Sequence, residues 1–125
     1  MNLDAVGIVS ENISRSQSFY ELLGIQFKPV GEDHLEAYTT NGLRLMLDAE
    51  SLVKRINPDW QKSNGSKVIL CFKQQSADEV DVVYEKMIRS GFKGVKDPWD
   101  AFWGQRYASI LDPDGNQVDL FADLL

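Results

Sequence analysis

This 125-residue chain writes one order of elements twice. A repeat of this kind means that each half is one supersecondary unit, and it governs every later assignment. Val6 to Val9 read as a short apolar strand, and Ser14-Arg15-Ser16-Gln17 predicts a capping box. Ser14 would accept from the third helical amide while Gln17 reaches back. Phe19, Leu22 and Leu23 follow at helical spacing, and Gly24 supplies a left-handed stop. The second half repeats this with Val68 to Phe72 as strand and Ser76-Ala77-Asp78-Glu79 as capping box. Val80, Val83, Tyr84 and Met87 then form a helical stripe, and Gly91 the stop. Tyr20-Glu21 and Tyr84-Glu85 match, 64 residues apart.

Each helix is followed by an extended stretch, Ile25 to Val30 or Phe92 to Lys96, and then by a strand leading to Asn41-Gly42 or Asp114-Gly115. Both dipeptides favour the positive backbone angles of tight hairpins. The strands after them, Leu43 to Asp48 and Asn116 to Phe121, overlay with an offset of 73, so that Met46 meets Asp119. The expected fold is therefore α+β: two tandem βαβββ modules, 1–48 and 66–125, joined by 49–65, which holds a short helical turn. The two form one domain with mixed, curved sheets around a concavity. Period-two alternation places Val6, Ile8, Leu45, Leu47, Val68, Leu70, Phe72, Val118 and Leu120 on the helix-covered faces. Their neighbours, among them Ala5, Gly7, Arg44, Met46, Lys67, Ile69, Gln117, Asp119 and Phe121, are mixed in character. A ligand cavity needs such a face; a solvated outer face has the same pattern, and periodicity leaves both open.

A content of 43% hydrophobic and 26% charged residues lets a core form without disulfides, and the one cysteine, Cys71, reads as buried in its strand. The formal charge of -6 and the scattered basic residues argue against a nucleic-acid partner. The start lacks a basic segment leading into a long apolar stretch, and no apolar run reaches membrane-spanning length. A cytoplasmic chain without a membrane partner is expected.

The phrase from Ser14 to Gly24, SRSQSFYELLG, resembles the opening of modules of the vicinal oxygen chelate superfamily, which includes glyoxalases, bleomycin-resistance proteins and extradiol dioxygenases. The phrase from Asp112 to Leu120, DPDGNQVDL, resembles the final hairpin of the same family. In metal-dependent members, one side chain on each first strand and one on each last strand hold the ion. Carried onto this chain, those positions are Ala5, Met46, Lys67 and Asp119. One carboxylate cannot hold a divalent ion tightly, since three or more protein ligands are needed. The only histidine, His34, reads as an exposed residue beside a turn. No metal and no other cofactor is expected.

Without metal, the resemblance implies binding of a flat or cationic small molecule by a homodimer, as in bleomycin-resistance proteins. The residues for it lie in the run Asp97 to Tyr107, where Trp99, Phe102, Trp103 and Tyr107 are four rings in nine residues. The same rings suit a core or a subunit interface. Arg106 is expected to pair with an anionic ligand group or with Asp119; Tyr38, Met46, Trp60 and Lys67 complete the candidate ligand-binding set. Two other function classes stand beside it: a lyase, isomerase or dioxygenase of the glyoxalase type, using a metal bound in an unanticipated way or acid-base chemistry from Asp119, Lys67 or Arg106, and a non-catalytic interaction or regulatory domain whose cavity is closed by side chains. Lys67 beside a carboxylate suits a structural ion pair as well.

Overall fold

A computed structural model describes all residues, 1–125, which form two compact units, Met1–Ser63 and Asn64–Leu125. The first runs β1 (Ala5–Ser10), α1 (Ile13–Leu22), β2 (Lys28–Pro29), β3 (His34–Tyr38), β4 (Arg44–Ala49) and α2 (Glu50–Ile56). The second runs β5 (Leu70–Lys73), α3 (Ala77–Arg89), β6 (Lys93–Ala101), β7 (Gln105–Leu111) and β8 (Gln117–Asp123). Each contains a four-stranded mixed sheet, ordered β1-β4-β3-β2 or β5-β8-β7-β6, with the first pair parallel and the others antiparallel. The fold is thus α+β, two tandem modules with strand, helix and three strands in each. No helix is long and apolar enough to cross a membrane.

The two modules end their helices with the same bonds. Gly24 and Gly91 both have φ of 92°. Their amides donate to Glu21 and Ile88, and the next amides, of Ile25 and Phe92, donate to Tyr20 and Met87. This is the Schellman motif, and the apolar pairs Ile25 with Tyr20 and Phe92 with Met87 that accompany it are buried. The hairpin turns also match. Gly42 and Gly115 donate to Thr39 and Asp112, and both glycines have φ of 87°. Asn41 and Asp114 do not share that positive angle, so each turn is of the type I kind with the left-handed glycine last.

The helix starts differ from the expectation. Asn12, not Ser14, caps α1, its side chain accepting from the Arg15 amide, while Gln17 reaches forward to Glu21. The earlier start lets the Ser16 hydroxyl bond that of Ser10 at the end of β1, 2.6 Å away and buried. Ser76 caps α3 as its sequence suggests. Asn12 and Ser76 lie 64 residues apart, whereas Gly24 and Gly91 lie 67 apart, because α3 has 13 residues and α1 has 10. Tyr20 and Tyr84 therefore match only when counted from the caps. Tyr20 is fully buried, and Tyr84 is half-buried with its hydroxyl on Asp97.

The core of the first unit is Ile8, Phe19, Tyr20, Ile25, Phe27, Ala37, Leu45 and Leu47, and that of the second is Val80, Met87, Phe92, Ala101, Ala108, Ile110, Val118, Leu120 and Ala122. Val68 departs from the expected helix-covered set and is 68% exposed. The ladder explains this: Leu70 pairs with Val118, so the partner of Val68 would be Asn116, which lies in the closing turn. Leu70 and Phe72 keep to the helix side and are half-buried, which turns Cys71 to the opposite face. Cys71 is therefore exposed, not buried as its apolar neighbours suggest.

Candidate functional site

In the second unit, the face of the sheet away from α3 carries a row of aromatic rings across three strands. The closing turn sets the register: Leu111 pairs with Gln117, Ser109 with Asp119, and Tyr107 with both Phe121 and Trp99. Tyr107 and Phe121 stack with centroids 5.9 Å apart. Trp103 lies edge-on to Tyr107 at 5.3 Å, to Trp99 at 5.6 Å and to Phe102 at 4.9 Å. Strand β6 is irregular where Asp97-Pro98 interrupts it, which an edge strand tolerates. Three residue steps from Lys96 to Trp99 there match two from Ser109 to Tyr107, so Lys96 and Trp99 point to the same face. The Lys96 ammonium consequently sits over the Trp99 ring, 5.0 Å from its centre.

Beneath the row lies Asp119, only 4% exposed. Its carboxylate accepts from the Tyr107 hydroxyl at 2.8 Å, the Ser109 hydroxyl at 2.7 Å and the Gln117 amide at 3.0 Å. No lysine or arginine reaches it, so a buried anion is held by three neutral donors. Burial, and then the bond to Asp119, push the ionisation of Tyr107 far up, which keeps its proton in place as a donor. Cys71, beside Asp119 in register, has its sulfur 3.8 Å from the Tyr107 oxygen.

The first unit presents a different surface on the face away from α1. Its β3 contributes His34, Glu36 and Tyr38, and β4 contributes Arg44, Met46 and Asp48. His34 is half-buried here, not exposed beside a turn: Nδ1 bonds Asp48, and Nε2 lies 2.7 Å from Glu36. Its partners come from the neighbouring strand and from two residues along its own, and strand register alone brings them together. Arg44 reaches Glu36 at 3.0 Å and Asp4 at 2.8 Å. Glu36 is held below the usual carboxylate range, chiefly by its bond to His34.

The candidate residues thus separate. Trp99, Phe102, Trp103, Tyr107 and Asp119 come together on the second sheet, with Phe102 at the edge and 91% exposed. Tyr38, 72% exposed, and Met46 lie on the first sheet, and half-buried Trp60 follows α2. Arg106 is on the helix-covered side, bonded to Asp81 at 2.7 Å and to Asp100, and does not pair with Asp119. It borders a depression of about 600 Å³ that also involves Tyr84, Asp97 and Trp99, so Trp99 is the one candidate that adjoins both Arg106 and the aromatic row. Lys67 is exposed and precedes β5, and it is not among the groups that bind Asp119. Ser109, Gln117 and Phe121 join the site: alternation had put Gln117 and Phe121 on the mixed face without naming them as ligand-binding, and Ser109 was not anticipated, although the turn that fixes Leu111 opposite Gln117 carries the signal for it.

The four positions that metal-dependent relatives use do not fit an ion here. Ala5 has no donor, Lys67 is cationic, and Met46 offers a thioether with Arg44 against it at 3.5 Å. The oxygens of Asp119 already take three donors. The residues level with Met46 and Asp119 on the parallel strands are Gly7 and Cys71, and no group of three or more His, Cys, Asp or Glu is arranged to hold a metal.

The family model of the Glyoxalase/Bleomycin resistance protein/Dioxygenase superfamily matches residues 2–120, and the chain belongs to that superfamily. Among solved structures, a glyoxalase/bleomycin resistance protein/dioxygenase family enzyme from Burkholderia phytofirmans PsJN is similar with a TM-score of 0.88 at 20% identity. The match covers 99% of this chain and 100% of that one. A glyoxalase-related enzyme from Fulvimarina pelagi gives 0.85 at 16% identity, covering 98% and 88% of the two chains. A glyoxalase/bleomycin resistance protein/dioxygenase from Nocardioides gives 0.79 at 21%, covering 99% and 84%. At these identities the likeness is one of fold. No curated protein matches the sequence.

Proposed function

We propose that this protein binds a planar, cationic small molecule on the aromatic face of its second sheet, without a metal and without converting it. Trp99, Trp103, Tyr107 and Phe121 form a row over a buried carboxylate that has no cationic partner, and a flat cation would complete that arrangement. Because Tyr107 gives its hydroxyl proton to Asp119, its oxygen can only accept, from the Cys71 thiol at 3.8 Å or from a ligand N–H that takes the place of that thiol. A ligand suited to this face brings a flat ring system, a positive charge and N–H groups. Antibiotics that are flat and cationic fall in this class, which makes sequestration of a toxic compound the biological reading. The working form is a homodimer.

The test is a titration with planar cations such as ethidium, followed by tryptophan fluorescence and by recovery of the ligand. Saturable quenching with the ligand recovered unchanged is expected. Chemical conversion of the ligand, or no binding across a panel of planar cations, would overturn the proposal.

A further inference from the structure

In the first unit, five charged side chains alternate in sign along the face away from α1: Asp48, His34, Glu36, Arg44 and Asp4. Both ring nitrogens of His34 face a carboxylate oxygen, an arrangement that is satisfied only when both carry protons. We propose that His34 is a proton-operated latch that ties β3 to β4 and controls the setting of Arg44 and Met46 on this face.

Loss of one proton leaves a nitrogen lone pair pointing at a carboxylate, and one of the two contacts must open. Glu36 is the partner that leaves at least cost, because the oxygen that bonds His34 also accepts from Arg44. Its departure carries Arg44 along, and Arg44 lies 3.5 Å from the Met46 sulfur, with Met46 level with Glu36 in the ladder. The proton is thereby read out at Met46. The groups facing the latch are Asp48 and Arg44 from β4, Glu36 on β3 itself, Lys28 of β2 opposite Glu36, and Asp4 ahead of β1. From α2, Arg55 is tied to Asp33, the residue before His34. Burial works against the charged ring, but the bonds to Glu36 and Asp48 outweigh it and hold the proton to a pH above the ordinary 6.5. The latch is therefore closed at and below pH 6.5 and opens as pH rises through that higher value.

The experiment is NMR on the full chain, with ¹⁵N-labelled histidine and methyl-labelled methionine. Protons on both ring nitrogens at pH 6.5, a titration midpoint above 6.5, and a Met46 methyl shift with the same midpoint are expected, while Met87, buried in the second unit's core, stays still. In His34→Gln the Met46 signal should no longer follow pH over that range. A midpoint at or below 6.5, a Met46 signal that ignores the titration, or one that still titrates in His34→Gln would overturn the latch; the wild-type titration decides alone if the variant does not fold.

Discussion

Replacing Asp119 by Asn removes the charge beneath the aromatic row with almost no change of shape. An Asn that keeps its oxygen toward Ser109 and Gln117 turns its amide toward Tyr107, which must then accept and direct its own proton outward. Hydrogen bonds to a charged group contribute about 1.5–3 kcal/mol each and neutral ones about 0.5–1.5, so three bonds weaken. Against this, the cost of keeping an anion away from water disappears. The two effects oppose each other, and a net loss of about 1–2 kcal/mol follows, a fall of roughly 3–8 °C in Tm for a domain of this size. Binding responds differently. A cation stacked about 6 Å from the carboxylate, in an effective dielectric of about 20, gains about 3 kcal/mol from it. Ethidium should therefore bind Asp119→Asn about 100-fold more weakly, while neutral phenanthridine, measured at pH 8, changes by less than about threefold. Fluorescence titrations of both probes against both proteins provide the comparison. If the two probes lose affinity equally, or neither loses any, the electrostatic role assigned to Asp119 is wrong.

Three further outcomes follow from the geometry. A Cβ at Gly94 would lie 2.2 Å from the Tyr84 hydroxyl, so Gly94→Ala should cost about 1–3 kcal/mol in a denaturant melt, and less in a Tyr84→Phe background. Arg106→Ala should leave ethidium affinity unchanged, because that guanidinium is on the helix side with Asp81 and Asp100; a large loss in the same titration would put Arg106 in the site after all. His34 has a raised ionisation in the folded state, so its stabilisation is fully present below pH 6.5 and is lost as pH rises through the folded value. Calorimetric Tm should accordingly fall with rising pH more steeply in the wild type than in His34→Gln.

The backbone of this fold was largely legible because its decisive positions are local. Gly24 and Gly91 end helices, and Gly42 and Gly115 close hairpins, through angles that few other residues adopt. The cap of α1 was misplaced because Asn12 and Ser14 are both capping residues, and the start at Asn12 goes with a Ser16 hydroxyl bonded to Ser10 at the end of β1. Side-chain direction was harder to read. Arg106 stands next to Tyr107 and faces the other way, which alternation from the closing turn would have revealed. The network at His34 was not legible, since Asp48 comes level with it only through the β3 and β4 register. Alternation also places Cys71 opposite Leu70 and Phe72, although its apolar neighbours suggest burial.

A ligand over Trp99 and Trp103 can be seen directly from those two side chains. Incorporation of 5-fluorotryptophan gives three ¹⁹F signals, from Trp60, Trp99 and Trp103, each assignable by single replacement with Phe. Saturating ethidium should move the Trp99 and Trp103 signals with one common affinity and leave Trp60 in place. Movement of Trp60 alone, or a Trp99 and Trp103 pair that ignores a bound ligand, would place the ligand away from the aromatic row.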